Sequence, residues 1–153
     1  MSIEARLNEL GIQLPTPRAP AFSYVAVAVH HDMAWVSGQL PWMPDGSLPV
    51  GKLGAEIDVA LGKLIARQCV LNGLAVLRQS LGSLDRIDRV VKLTGFVCSA
   101  PGFVDQPAVV DGASQCLLDV FGEIGRHARS AVGMAELPRG VPVEIEFVAA
   151  LKR

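Results

Sequence analysis

Apolar and polar positions repeat with two different periods along this chain, and the changes of period divide it into elements. Ile3 to Leu10 carries apolar residues at helical spacing and stops at Gly11, which predicts a short amphipathic helix. Pro15, Pro17 and Pro20 then hold the backbone extended, so residues 1–19 read as an N-terminal helix and arm. Tyr24–Val29 and Met33–Ser37 are β-prone runs, with His30-His31-Asp32 as the turn between them. Pro41–Gly54, rich in proline and glycine, predicts a loop.

Ala55–Leu81 predicts the longest helix, ended by Gly82. Its Leu61, Leu64, Ile65, Leu71, Leu74, Ala75 and Leu77 spread around most of the circumference, and only Lys63, Arg67 and Arg78 mark a charged side. Such a helix is expected to be buried on most sides. Asp88–Val97, rich in β-branched residues, predicts a strand that Pro101-Gly102 breaks. Pro107–Ile124 predicts a second long helix with Pro107 in its first turn. There Val110, Ala113, Leu117, Phe121 and Ile124 form one stripe, and Asp111, Gln115 and Asp119 lie opposite.

Arg129–Ala135 and Val141–Leu151 predict two last strands, joined as a hairpin through Leu137–Gly140. The order of hairpin, helix, strand, helix and hairpin predicts an α+β two-layer fold, one mixed sheet with both helices on one face. In the last strand Val143, Ile145, Phe147 and Ala149 face those helices, and Glu144, Glu146, Val148 and Ala150 face away. The second face is half apolar, so oligomerisation is expected to cover it.

Composition narrows the function classes. The chain has 153 residues, half of them apolar and 19% charged, which is one domain able to bury a core. Lys plus Arg number 14 against 15 Asp plus Glu, so no electrostatic footprint for nucleic acid is expected. Unbroken apolar runs such as Val25–Val29 fall far short of the roughly 20 residues a spanning helix needs, so no membrane partner is expected. Glu4, Arg6 and Glu9 replace the apolar core of a signal peptide. Three cysteines without a CxxC pair argue for a reducing, cytoplasmic compartment.

Few residues offer chemistry. His30, His31 and His127 make no HxH or HExxH pattern and read as surface polar residues rather than metal ligands. Cys69 and Cys116 fall in apolar helical segments, and Cys98 ends a strand with no basic partner, so all three read as inert. No GxSxG or GxGxxG motif is present. Arg129 opens a strand among Ala128, Ser130 and Ala131, where its planar fork has room for a carboxylate. Glu144 stands among apolar neighbours, where burial would raise its pKa and suit it to proton transfer. A terminal hairpin would set Glu144 opposite Gly133, about 13 Å along the strand from Arg129 at 3.3 Å per residue. A site using both would then span a subunit boundary.

Ser37-Gly38-Gln39-Leu40-Pro41 resembles the SGQ-hydrophobic-Pro segment of the RidA family, also called YjgF or endoribonuclease L-PSP. Ala128–Val132, Leu137-Pro138 and Val143–Glu146 resemble that family's C-terminal signature, and the chain from about residue 20 onward is similar to a less characterised branch of it. The resemblance implies a chorismate-mutase-like fold, a homotrimer with clefts between subunits, and hydrolysis of reactive 2-imino acids to 2-keto acids and ammonia. It implies no metal or organic cofactor. Arg129 would hold the substrate carboxylate and Glu144 would place or activate water. Phe22, Tyr24, Ser37, Gly38, Asp111 and Ala131 would line the pocket. Phe22, with Tyr24 nearby, replaces a frequent tyrosine, Asp111 a frequent asparagine, and Ala131 a frequent cysteine. The altered pocket leaves a second expectation, a trimer that binds small carboxylates without turning them over. Ribonuclease activity, from the family's older name, is disfavoured by the neutral charge.

Overall fold

Ser2 accepts a hydrogen bond from the Ala5 amide and caps α1 (Ile3–Glu9) in the computed structural model, which describes Met1–Arg153. The proline-rich arm leads into the hairpin β1 (Val27–His30) and β2 (Met33–Gln39), whose tight turn holds His31 at φ 50°. Asp58 caps α2 (Val59–Leu81) by accepting from the Leu61 amide, and Gly82, at φ 81°, ends it. Then come β3 (Ile87–Cys98), α3 (Gln106–Phe121), β4 (Ala128–Met134) and β5 (Val143–Leu151). Leu7 of α1 is buried, and Arg6 Nε donates to the Asp119 carbonyl at 2.9 Å, which docks α1 against α3.

The five strands form one mixed sheet in the order β1-β2-β5-β3-β4. Only β3 and β4 run parallel, with α3 as the crossover such a pair requires. The expected hairpin of β4 with β5 does not form, because β3 lies between them. Two β-prone runs joined through proline and glycine carry a hairpin pattern, yet residues 135–142 are long enough to step over the end of β3. That end holds both flanks: the Cys98 amide donates to the Pro142 carbonyl at 2.9 Å, and the Ser99 amide to the Met134 carbonyl at 3.0 Å.

Both long helices cover one face of the sheet. Val143, Ile145, Phe147 and Ala149 are buried beneath them and alternate with less buried Glu144, Glu146, Val148 and Ala150, as the period of two requires. Val110, Ala113, Leu117 and Phe121 form the buried stripe of α3. Ile124 falls outside it, in the 3-10 turn that follows Gly122, and is 37% exposed. By length and a window of mean hydropathy 1.3, α2 would pass for a membrane-crossing helix; its apolar surface is spent on the sheet and α3. Leu61 and Leu64 are exposed, so burial on most sides fails at its N-terminal end, where the two layers cover only part of the circumference. Cys69, Cys98 and Cys116 are free and buried, and burial pushes up the Cys69 thiol and takes that of Cys116 to about 11.

The other face of the sheet is open. Trp35 and Val132 remain 43% and 40% exposed there, beside Lys92, whose Nζ donates to Ser130 Oγ at 2.9 Å. On the covered side α2 and α3 touch backbone to backbone, because a Cβ at Gly112 would collide with the main chain of Lys63. Gly112→Ala is therefore expected to lower the free energy of unfolding by about 2 kcal/mol, since rigid backbones must separate. Urea denaturation should show a lower midpoint with an unchanged m-value; an unaltered midpoint would show that the helices separate freely.

Candidate functional site

The structure divides the candidate residues into two groups. The first surrounds Glu144. Strand alternation aims this side chain away from the helices, and a cleft of about 520 Å³ receives it, lined also by Phe22, Tyr24 and Gly38. Gly38 is a glycine because the carboxylate occupies the space its side chain would need: a Cβ there would overlap Glu144 Oε1. Ser37 sits beside it and donates to the Val25 carbonyl at 2.7 Å, which pins the entering segment to β2. Burial and then the neighbouring Glu146 push the Glu144 carboxyl above its ordinary range.

The second group surrounds Arg129. Arg129 pairs with Leu93 and shares that residue's side of the sheet, under α3. Pro107, Asp111 and Ser114, at i, i+4 and i+7 of α3, present three oxygens to its guanidinium. Nη2 donates to the Pro107 carbonyl and Nη1 to Ser114 Oγ, each at 3.2 Å. Asp111 Oδ1 lies 4.0 Å from Nη1. Ala131, two residues on, pairs with Gly95 and packs against the core.

His127 is not the isolated surface residue that its position in the chain suggests. Its Nδ1 lies 2.6 Å from the Gly125 carbonyl and its Nε2 3.0 Å from Ser114 Oγ. A carbonyl only accepts, so Nδ1 carries the proton and Nε2 accepts from the Ser114 hydroxyl. That leaves a Ser114 lone pair for Arg129. Burial, and then the Arg129 charge, push the imidazole below its ordinary pKa against the opposing pull of the Gly125 carbonyl, so the relay is built around neutral histidine. The sequence reads His127 as a surface residue and gives Ser114 no role, because no spacing motif links a helix position to a residue beyond the next turn.

Arg129 and Glu144 do not meet within one chain. Leu93 pairs with both Arg129 and Phe147, and Phe96 pairs with Glu144, which places the two candidates two strands and three residues apart. Their Cα atoms are then roughly 14 Å apart, from strand spacing and rise. Their side chains also lie on opposite faces of the sheet. The separation expected from a hairpin is kept, but it arises from the intervening β3.

An α+β layer with one open sheet face, and two groups of candidate residues on opposite sides of that sheet, defines the class of chain this is. Residues 4–143 match the family model "YjgF/chorismate_mutase-like, putative endoribonuclease", and the chain belongs to that family. Protein TCP17 of Trypanosoma cruzi is 46% identical over 97% of this chain and 94% of its own length. The crystal structure of Atu1372 from Agrobacterium tumefaciens, a protein of unknown function, is 44% identical and superposes with a TM-score of 0.89 over 98% of this chain and 92% of that one. E. coli TdcF, solved with bound serine, shares the fold at 24% identity and a TM-score of 0.64, over 92% and 96% of the two chains.

The raised Glu144 carboxyl sets a pH signature. Between the ordinary glutamate pKa and the raised value, the unfolded chain has released a proton that the folded chain keeps. Stability therefore falls as pH rises through that window. Glu144→Gln is expected to raise the melting temperature at pH 8 and to converge on the parent protein below pH about 4, where the carboxyl is protonated in both states. Parallel melting curves across this range would contradict the assigned environment.

Proposed function

We propose that this chain is a hydrolytic deaminase of small 2-imino acids, acting in the cytoplasm as a homotrimer whose clefts are each completed by two subunits. The observation that carries this reading is the placement of Arg129 and Glu144 on opposite faces of one sheet, with Glu144 lining a cleft that Arg129 of the same chain does not enter. A second copy supplies the missing half. The open sheet face, with Trp35 and Val132 exposed, is the surface on which copies would associate.

The chemistry follows from the two environments. The Arg129 fork, braced by Ser114 and the Pro107 carbonyl, holds the substrate carboxylate through its remaining N–H groups. Glu144 takes a proton from water as the oxygen adds to the C=N carbon, giving a carbinolamine. It returns that proton to the nitrogen, then carries the hydroxyl proton to the same nitrogen as the C–N bond breaks, so that ammonia leaves and a 2-keto acid remains. A carboxyl with a raised pKa is suited to both transfers near neutral pH. The three free, buried cysteines fit a reducing compartment.

A second reading, a trimer that binds carboxylates without turnover, is favoured by Asp111. Its carboxylate competes for Arg129 from 4.0 Å and repels an anionic substrate. Imines generated by an amino-acid oxidase, with semicarbazide as competitor, separate the two. The deaminase lowers semicarbazone formation. Arg129→Ala removes the effect, and Glu144→Ala lowers turnover about 100-fold while keeping product binding.

Subunit sharing has its own test. Arg129→Ala and Glu144→Ala, each inactive alone, are co-expressed in equal amounts. About one cleft in four then carries both native residues, and about a quarter of the parent activity is expected to return. No recovery in mixed oligomers confirmed by mass would place both groups in one subunit's site.

A further inference from the structure

Two guanidiniums converge on one indole at the wall of the Glu144 cleft. Arg18, at the end of the proline-rich arm, lies over Trp42 with its Cζ 3.9 Å from the ring centroid. Arg139, in the short turn before β5, approaches the same ring at 5.7 Å. Both distances fall within the range of cation–π attraction, which holds each group in place without neutralising it. Neither arginine reaches a carboxylate within ion-pair distance or spends a donor on a hydrogen bond to the protein, unlike Arg6, Arg67, Arg78, Arg126 and Arg153. Among the residues lining the cleft, Glu144 is the sole acid. With two arginines against that one carboxylate, the cleft lining carries an excess of positive charge.

The backbone at Arg139 adds an independent observation. It adopts φ 58° and ψ 15°, the left-handed region, between Pro138 and Gly140 at φ 73°. The only other non-glycine residue with positive φ, His31, sits in the hairpin turn, where the turn geometry demands it. Glycine or asparagine would meet the geometry at 139 at lower cost, so the arginine is held there against its backbone preference, a pattern that gathers at ligand clamps. The space beside Arg18 also extends beyond the cleft. Arg18, Gln39 and Trp42 form a wall shared with a cavity of about 640 Å³ under the arm, which Arg67 lines and no acidic residue enters.

We propose that Arg18 and Arg139, set by Trp42, receive a second anionic group on the substrate's side chain. The cleft then selects 2-imino acids, and their 2-keto products, that carry a distal carboxylate or phosphate over small neutral-chain ones. This rests on the reading of the Glu144 cleft as the reaction chamber. The imine hydrolysis itself is unchanged; the clamp fixes the far end of the molecule while the C=N carbon stays at Glu144.

The test is calorimetric titration of the intact oligomer with three stable keto acids: 2-oxobutanoate, 2-oxoglutarate and 3-phosphohydroxypyruvate. At least one doubly anionic acid is expected to bind about tenfold tighter than 2-oxobutanoate, the gain from one charge-assisted contact. Whether the carboxylate or the phosphate probe gains more identifies the distal group. Arg139→Gly removes the guanidinium and relieves the left-handed strain, so it is expected to fold; in it the affinity ratio should fall to about one. Arg18→Gln should lower the same ratio. If 2-oxobutanoate binds the parent protein and neither dianion binds better, the clamp is overturned and the deaminase reading stands. A preference that survives in both variants also overturns it. Were no keto acid to bind the parent protein, the cleft reading and the clamp would fall together.

Discussion

Strand alternation decides where chemistry can occur in this molecule. β3 and β5 lie inside the sheet, and α2 and α3 cover one of its faces. Each residue of these strands is therefore committed either to the core or to the open side, and a neighbour two positions away shares its fate. Glu144 falls on the open side and Arg129 on the helix side. No rotamer change brings them together within one chain.

The two groups of candidate residues treat charge in opposite ways. Glu144 is pressed among apolar neighbours and beside another carboxylate, which together raise its pKa. Arg129 is braced mainly by neutral acceptors: a main-chain carbonyl and a hydroxyl whose hydrogen is committed to a neutral imidazole. Neutral bracing fixes direction while leaving most of the positive charge available to a ligand. Asp111 stands further off, so its attraction is weaker than a close ion pair would give.

Much of the fold was legible in the sequence, because the periods of 2 and 3.6 are written in the residues themselves. The faces of β5, the stripe of α3 and the layer order follow from pattern. The pairing of β4 was not legible. Hairpin and crossover share the same local pattern of two β-prone runs around proline and glycine, and only the end of β3, far away in the chain, decides between them. The Glu144 cleft was legible through Gly38 and the aromatic residues before β1. Ser114 and His127 were hidden, since their meeting depends on how a 3-10 turn at Gly122–Gly125 folds the chain back along α3. Arg139 was concealed as an ordinary turn residue, because its left-handed backbone cannot be told from sequence when the residue is not glycine.

The contact between Gly38 and Glu144 also bears on how such a chain can change over time. One residue's missing side chain is the other's working volume, so neither position is free to drift alone. A side chain acquired at 38 displaces the Glu144 carboxylate, whose flexible stem can turn aside, so a change at one position is felt at the other. Once the space beside Gly38 is filled, a glutamate at 144 holds its carboxylate elsewhere in the cleft than it does here.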